Sequence, residues 1–254
     1  MAGEEEKPLA GKVALVTGAG RNIGRAIALS LAADGALIIV NGRSDRGAVD
    51  AVVHEIEAVG GKALASMGDV SDPQQVSQMV ERASAETGGI DILVSNAGLR
   101  RQTPFLEMAF AEWREILSVA LDGAFLMAKA VVPHMIRKGG GAIVALSGVS
   151  NHVGTANRCH VSASKAGLEG LMRALAIELA PHRITCNAIA PGTIDTVRGA
   201  SAGPLPERLA AGGVPLARKG RPEEIAAMVR LLVGPDGSYI TGQTIHVNGG
   251  SFLT

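Results

Sequence analysis

Residues 13–35 read VALVTGAGRNIGRAIALSLAADG: a short apolar run, a glycine-rich turn, then a helix-length segment with apolar residues at helical spacing. This order constrains the chain more than any other stretch. Gly18 and Gly20 let the backbone approach a bound group. A helix opening near Asn22 aims free N–H groups and the positive end of its dipole at the same place. A phosphate suits such a turn. A turn that only packs a helix on a strand would use its glycines in the same way, so the rest of the chain has to decide.

Further along, apolar runs at Val13–Thr17, Leu37–Asn41, Ala63–Ser66, Ile90–Val94, Ala142–Ser147 and Ile184–Ile189 read as buried parallel strands. Helical segments lie between them, among them Ile23–Ala33, Ala48–Val59 and Pro73–Thr87. Pro73 suits a first helical position, with Ser71 or Asp72 as the cap. A late helix at Glu223–Val233 precedes a last strand at Thr244–Val247. Strand alternating with helix implies a single α/β domain of Rossmann type, a doubly wound parallel sheet with helices on both faces. Residues 1–8 read as a solvated tail, 9–254 as one dinucleotide-binding domain, and the Gly/Ala/Pro-rich stretch at about 193–215 as a lid.

The chain has 24 basic and 24 acidic residues, and this balance points away from nucleic acid and anionic membrane as partners. No run approaches the roughly 18 apolar residues of a membrane span. Cys159 and Cys186 have neither metal nor disulfide spacing, and Met1 to Pro8 is not a secretory signal, so a reduced, cytoplasmic compartment is expected.

The second strand ends Asn41-Gly42-Arg43-Ser44, with no acid until Asp45. An acid there would bind a ribose 2′-hydroxyl and repel a 2′-phosphate, whereas Arg21 and Arg43 suit a phosphate. The turn therefore favours NADP(H) over NAD(H).

The turn is similar to Thr-Gly-x-x-x-Gly-x-Gly, with Asn22 for the middle glycine. The stretch CHVSASKAGLEGLMRALAIELAPHRITCNAIAPG resembles the catalytic helix of the short-chain dehydrogenase/reductase family. Asp69-Val70, Ser95-Asn96-Ala97-Gly98, Pro191-Gly192-Thr193-Ile194-Asp195-Thr196 and YITGQTIHVNGG resemble further segments of that family, so the likeness runs from about Leu9 to Phe252. It implies an NADP(H)-dependent oxidoreductase of the 3-oxoacyl-carrier-protein-reductase-like kind, acting on a small molecule. It also implies that Gly18, Gly20, Arg21, Asn22, Ile23, Gly24, Arg43, Ser44, Asp69, Val70, Asn96, Ala97, Gly98, Lys165, Pro191, Gly192, Ile194 and Thr196 form the cofactor site.

The same resemblance exposes a conflict. The family carries Tyr-x-x-x-Lys in this helix, its tyrosine being the proton donor of carbonyl reduction. Here Lys165 stands, but the tyrosine position is Val161, and the chain's one tyrosine is Tyr239. The family serine falls on Gly148 and the family asparagine on Ala120. Ser147 is adjacent, but a neighbouring strand residue faces the other way. Weak or atypical hydride transfer follows, for example to an activated iminium or quinone; the alternative is a non-catalytic NADP(H)-binding sensor or partner subunit. Asn151, His152 and His160 are candidates to replace the proton donor. The resemblance also implies a homotetramer. Its pairing surface would be the helices Glu112–Arg137 and His160–Ala180, the second rich in small residues at Ala163, Ala166, Gly167 and Gly170.

Overall fold

A computed structural model describes residues 7–197 and 213–254 of the chain. Seven strands, β1 (Val13–Val16), β2 (Leu37–Gly42), β3 (Lys62–Met67), β4 (Ile92–Ser95), β5 (Gly141–Leu146), β6 (Ile184–Pro191) and β7 (Thr244–Val247), form one sheet. The order is β3-β2-β1-β4-β5-β6-β7 and every pairing is parallel. The strands are apolar because both faces are covered. Along β1, Ala14 and Val16 pack with helices α1 (Asn22–Ala33), α2 (Arg46–Ala58) and α8 (Pro222–Val233). Val13 and Leu15 pack on the other face with α3 (Pro73–Thr87), α5 (Gly123–Lys138) and α7 (Cys159–Leu179).

The caps are local and readable. Asp72 accepts from the backbone N–H groups of Gln74 and Gln75, with Pro73 at the first position of α3. Gly88 ends that helix in the left-handed conformation. Strand ends differ from the sequence expectation by one or two residues, as hydrogen-bond assignments at frayed ends do. Of the segment 193–215, residues 198–212 lie outside the described residues, as do residues 1–6 of the tail. Lys7 and Pro8 are exposed, and Leu9 is already buried.

Three expectations are corrected. The helix expected over Glu112–Arg137 begins as α4 (Phe110–Leu117), passes through a π-helical turn at Ser118–Asp122, and continues as α5. The extra residue of a π turn leaves no trace in hydrophobic periodicity, and such turns cluster at functional sites. Secondly, Phe110–Lys138 is long and apolar enough, by length and hydropathy, to cross a membrane. It carries Glu112, Arg114, Glu115 and Asp122 and packs against α3, α7 and the sheet, as a core helix does. Thirdly, Gly167 is not part of an outer small-residue face: a β-carbon there would stand 2.8 Å from Leu121 Cδ2, so it seats α7 on the π turn. Gly170 has open space beside it.

The sheet order reverses between β1 and β4, which opens a crevice at their carboxyl ends. The turn after β1 is folded tightly enough to require Gly24. A β-carbon there would stand 2.4 Å from the Gly18 carbonyl oxygen and 2.6 Å from Asn96 Nδ2. Gly24→Ala is expected to cost about 1–3 kcal/mol of stability through overpacking. Calorimetry would read this as a lowered Tm; an unchanged Tm would show that the turn relaxes freely.

Candidate active site

Thr17 and Asn96 brace the crevice. The Thr17 hydroxyl accepts from the Asn96 and Ala97 N–H groups at 2.9 and 3.0 Å. The Asn96 amide donates back to the Thr17 and Gly18 carbonyls at 2.9 and 3.0 Å. These four bonds lock the loop after β1 to the loop after β4. Between them lies a cavity of about 490 Å³, lined by Gly18, Gly20, Arg21, Asn22, Ile23, Gly24, Arg43, Ser44, Asp69, Val70, Asn96, Ala97 and Gly98. All thirteen of these were expected from the sequence. Lys165, Pro191, Gly192, Ile194 and Thr196 do not line this cavity. Pro191 ends β6, Gly192 packs on Asn248, and Ile194 lines a second cavity with Asn248 and Phe252.

Three features of the cavity were not legible in the sequence. Asn22 adopts the left-handed conformation expected of it, with φ of 52°. Its side chain also clasps the backbone of Val197, donating to the carbonyl and accepting from the N–H, both at 3.0 Å. This ties the segment after β6 across the phosphate turn. Asn41 was read as a missing ribose-binding acid, but it is buried. Its Oδ1 accepts from the Gly18 N–H, and its amide donates to the carbonyls of Ser66 and Gly68. It staples the glycine turn to β3. Asp45, the next acid, caps α2 through the Ala48 N–H, leaving Arg21, Arg43 and Ser44 at that end of the cavity. Arg43 lies 3.7 Å from Asp69 across the rim.

The other end of the cavity runs along Gly98, Leu99 and Arg100. Lys165 arrives there from α7: its ammonium donates to the Leu146 carbonyl, and its Nζ stands 3.5 Å from where a Gly98 β-carbon would be. Burial, and then the charge of Arg100, lower the Lys165 pKa to about 8. Val161, one helical turn earlier on the same face, is buried and apolar. Ala120 is buried in the π turn. A β-carbon on Gly148 would meet only Ser150 Oγ, at 3.8 Å.

The polar residues around these positions are committed elsewhere. Ser147 donates to Glu169 Oε1 and the Asn151 amide donates to the same oxygen at 3.0 Å. His152 Nε2 lies 2.9 Å from that oxygen too. Burial alone would raise the Glu169 pKa, but these three hydrogen bonds outweigh it and hold the carboxyl below its ordinary value. The His152 ring packs against His246 and Phe252. His160, fully buried, bonds Glu112 at 3.1 Å, and Thr103 donates to the same oxygen at 2.6 Å. The Ser147 hydroxyl also approaches the Lys165 carbonyl at 3.4 Å, so it faces α7 at the turns of Lys165 and Glu169. Glu169 and Glu112 were not singled out in the sequence; each gains meaning only from partners many residues away. Among the described residues, no group of three His, Cys, Asp or Glu is placed to hold a metal.

The fold and this crevice define a dinucleotide-binding protein of Rossmann type. A family profile described as enoyl-(acyl carrier protein) reductase matches residues 18–251. A 3-oxoacyl-[acyl-carrier-protein] reductase of Synechocystis sp. is 41% identical over 248 residues, covering 96% of this chain and 98% of that protein. The Escherichia coli protein of the same description is 40% identical, covering 96% and 98%. Among solved structures, a short chain dehydrogenase from Burkholderia cenocepacia, in complex with NADP, has a TM-score of 0.88 at 35% identity. The match covers 96% of this chain and 99% of that one. A short-chain type dehydrogenase/reductase from Mycobacterium marinum gives 0.89 at 37%, covering 98% of each. The chain belongs to the short-chain dehydrogenase/reductase family.

With its pKa lowered to about 8, Lys165 is protonated below that pH and neutral above it. Folding therefore favours its neutral form, and the penalty on the charged form is relieved as pH rises from about 8 toward the unfolded value of about 10.4. NMR titration of methyl-labelled lysines should find one amine with a midpoint near 8 that Lys165→Met removes. If every lysine titrates near the unperturbed value of about 10.4, the desolvated environment is refuted.

Proposed function

We propose that the chain binds NADP(H) as an oxidoreductase whose hydride transfer to ordinary ketones is slow or atypical. The observation that carries this reading is the pairing of Lys165 with Val161. Lys165, next to Gly98, is kept, while the group one turn before it has no proton to give. Ala120 and Gly148, at the positions of the family asparagine and serine, add no donor. A positioned general acid contributes roughly 10²–10⁴-fold. A cofactor site without one suits an acceptor that needs little protonation, such as an iminium or quinone.

The cofactor assignment rests on the cavity. Arg21, Arg43 and Ser44 line the end expected to take the ribose, and Asp45 is spent on a helix cap. NADP(H) should bind more tightly than NAD(H) in calorimetric titrations, and equal affinities would sink the assignment. Arg43→Ala should remove a charged contact of about 1.5–3 kcal/mol and narrow the preference. Arg43 is half-exposed, which places the effect toward the lower end.

The non-catalytic reading is favoured by one specific observation: Asn151, His152 and His160, the candidates to replace the tyrosine, are all tied to Glu169 or Glu112. Steady-state assay with acetoacetyl and aryl ketones separates the two from an ordinary reductase. Turnover below the usual range of about 1–10³ s⁻¹ is expected. Turnover within it would mean that another residue supplies the proton.

Phe110, Phe125 and Ile177 leave large apolar side chains exposed on α4, α5 and α7. Together with the open Gly170 face, they support a homo-oligomer, a tetramer by the family pattern. Light scattering should give a mass near four times 25.9 kDa; a monomer at micromolar concentration would refute it.

A further inference from the structure

Asn22 stands where the family pattern has its middle glycine, and a glycine has no side chain to lend. Here that side chain reaches the backbone of Val197. Its amide donates to the Val197 carbonyl and its Oδ1 accepts from the Val197 N–H, both at 3.0 Å. A residue of an antiparallel strand engages its opposite number through the same two groups. Asn22 does so from φ of 52°, a left-handed angle that asparagine bears better than most residues.

The segment that carries Val197 is fixed at its other end. The Gly192 N–H donates to the Val247 carbonyl at 2.9 Å, holding the exit from β6. Gly220 then pairs with two residues at once. Its N–H donates to the Thr193 carbonyl at 2.9 Å, and its carbonyl accepts from the Asp195 N–H at 2.8 Å. Lys219 adds an ion pair to Asp195 at 3.0 Å. Glycine is needed for this approach, since a β-carbon at Gly220 would stand 2.7 Å from Ile194 Cδ1. Residues 193–197 therefore form a strap, tied down at Asp195 and closed at Asn22. Asn22 and Val197 both line the large cavity.

The two ties differ in strength. The Asp195 end has paired backbone bonds and an ion pair, with Ile194 packed on Gly220. The Asn22 end has two hydrogen bonds, both exposed to solvent. Water replaces such bonds at little net cost, so the Asn22 end is the one that opens. Asn22 is also the first residue of α1, so a group seated at the start of that helix has the clasp directly beside it.

Resting on NADP(H) binding in this cavity, we propose that Asn22 is a positioning residue that holds the strap at Val197 over the bound cofactor and so sets its residence time. The clasp slows release of the whole dinucleotide. The adenosine 2′-phosphate half is assigned to Arg43 and Ser44 on the loop after β2, which the clasp does not touch.

The test is stopped-flow displacement of NADPH from the full-length protein, followed by cofactor fluorescence, with the affinity for adenosine 2′-phosphate measured by calorimetry in parallel. Two variants break the clasp from opposite sides. Asn22→Gly removes the side chain and keeps the left-handed turn. Val197→Pro removes the N–H that Asn22 accepts from and leaves the glycine turn untouched. Asn22→Gly, which loses both bonds, should release NADPH about fivefold faster or more, and Val197→Pro, which loses one, should release it faster by a smaller factor. Affinity for adenosine 2′-phosphate should be unchanged in both. An unchanged release rate in either folded variant overturns the inference. Equal weakening of NADPH and adenosine 2′-phosphate overturns it too, since Asn22 would then only support the turn. If Val197→Pro does not fold, Asn22→Gly decides through the same two readings. Wild-type protein that binds no NADPH removes the cofactor reading and the inference with it, whereas NADPH bound with unaltered release removes the inference only.

Discussion

The brace between Thr17 and Asn96 is the contact on which the rest of the site depends. Parallel strands joined by helical crossovers must leave a crevice where the strand order reverses. The crevice becomes a site only when the loops on either side are held in register. Here a buried hydroxyl and a side-chain amide satisfy backbone groups of both loops at once. Gly24 is required because the Asn96 amide and the Gly18 carbonyl occupy the volume where its β-carbon would stand. Asn41 adds a third tie, from the glycine turn to β3, and the Asn22 clasp a fourth, to the segment after β6. Three asparagines thus do by hydrogen bonding what fixes the shape of the cavity.

In the proposed function, positioning and proton chemistry are separate around Lys165. Lys165 keeps its place, its burial and its contact with the end of β5. The π turn at Ser118–Asp122 has Ala120 at its centre, and the position of Gly148 has room for a larger side chain. The geometry that would hold a cofactor is thus largely independent of the residues that would move a proton. The polar groups nearest to Glu169 are joined in one network. A buried carboxylate left short of donors is costly, so Ser147, Asn151 and His152 are held to it.

Much of this was legible in the residues. The alternation of apolar runs and helical segments gave the sheet, and Asp72 before Pro73 marked a helix start that the structure places at the same residue. The cavity-lining stretches after β1, β2, β3 and β4 were readable because each is a short local pattern at a strand end. What stayed hidden depends on long-range partners. Asn22 and Val197 are 175 residues apart, Ser147 and Glu169 are 22 apart, and neither pairing leaves a spacing signal. Asn41 was read only as the absence of an acid, and its partners Gly18, Ser66 and Gly68 add a structural role that no local spacing carries. Arg100 and Arg101 are indistinguishable in the sequence, and the pairing of Arg101 with Glu115, fourteen residues on, is visible only in the fold.

The central claim is that this scaffold presents a cofactor correctly and lacks only local proton chemistry. The most direct measurement is ketone reduction by a variant carrying Ala120→Asn, Gly148→Ser and Val161→Tyr, after folding and NADPH binding have been confirmed. Tyrosine is larger than valine, and overpacking could cost about 1–3 kcal/mol, so the folding check comes first. The account predicts activity above wild type, rising toward the roughly 10²–10⁴-fold that a general acid supplies, with Val161→Tyr necessary for most of it. A folded, NADPH-bound triple variant with no gain on a broad carbonyl panel would contradict the account and leave the pocket assigned to a non-catalytic purpose.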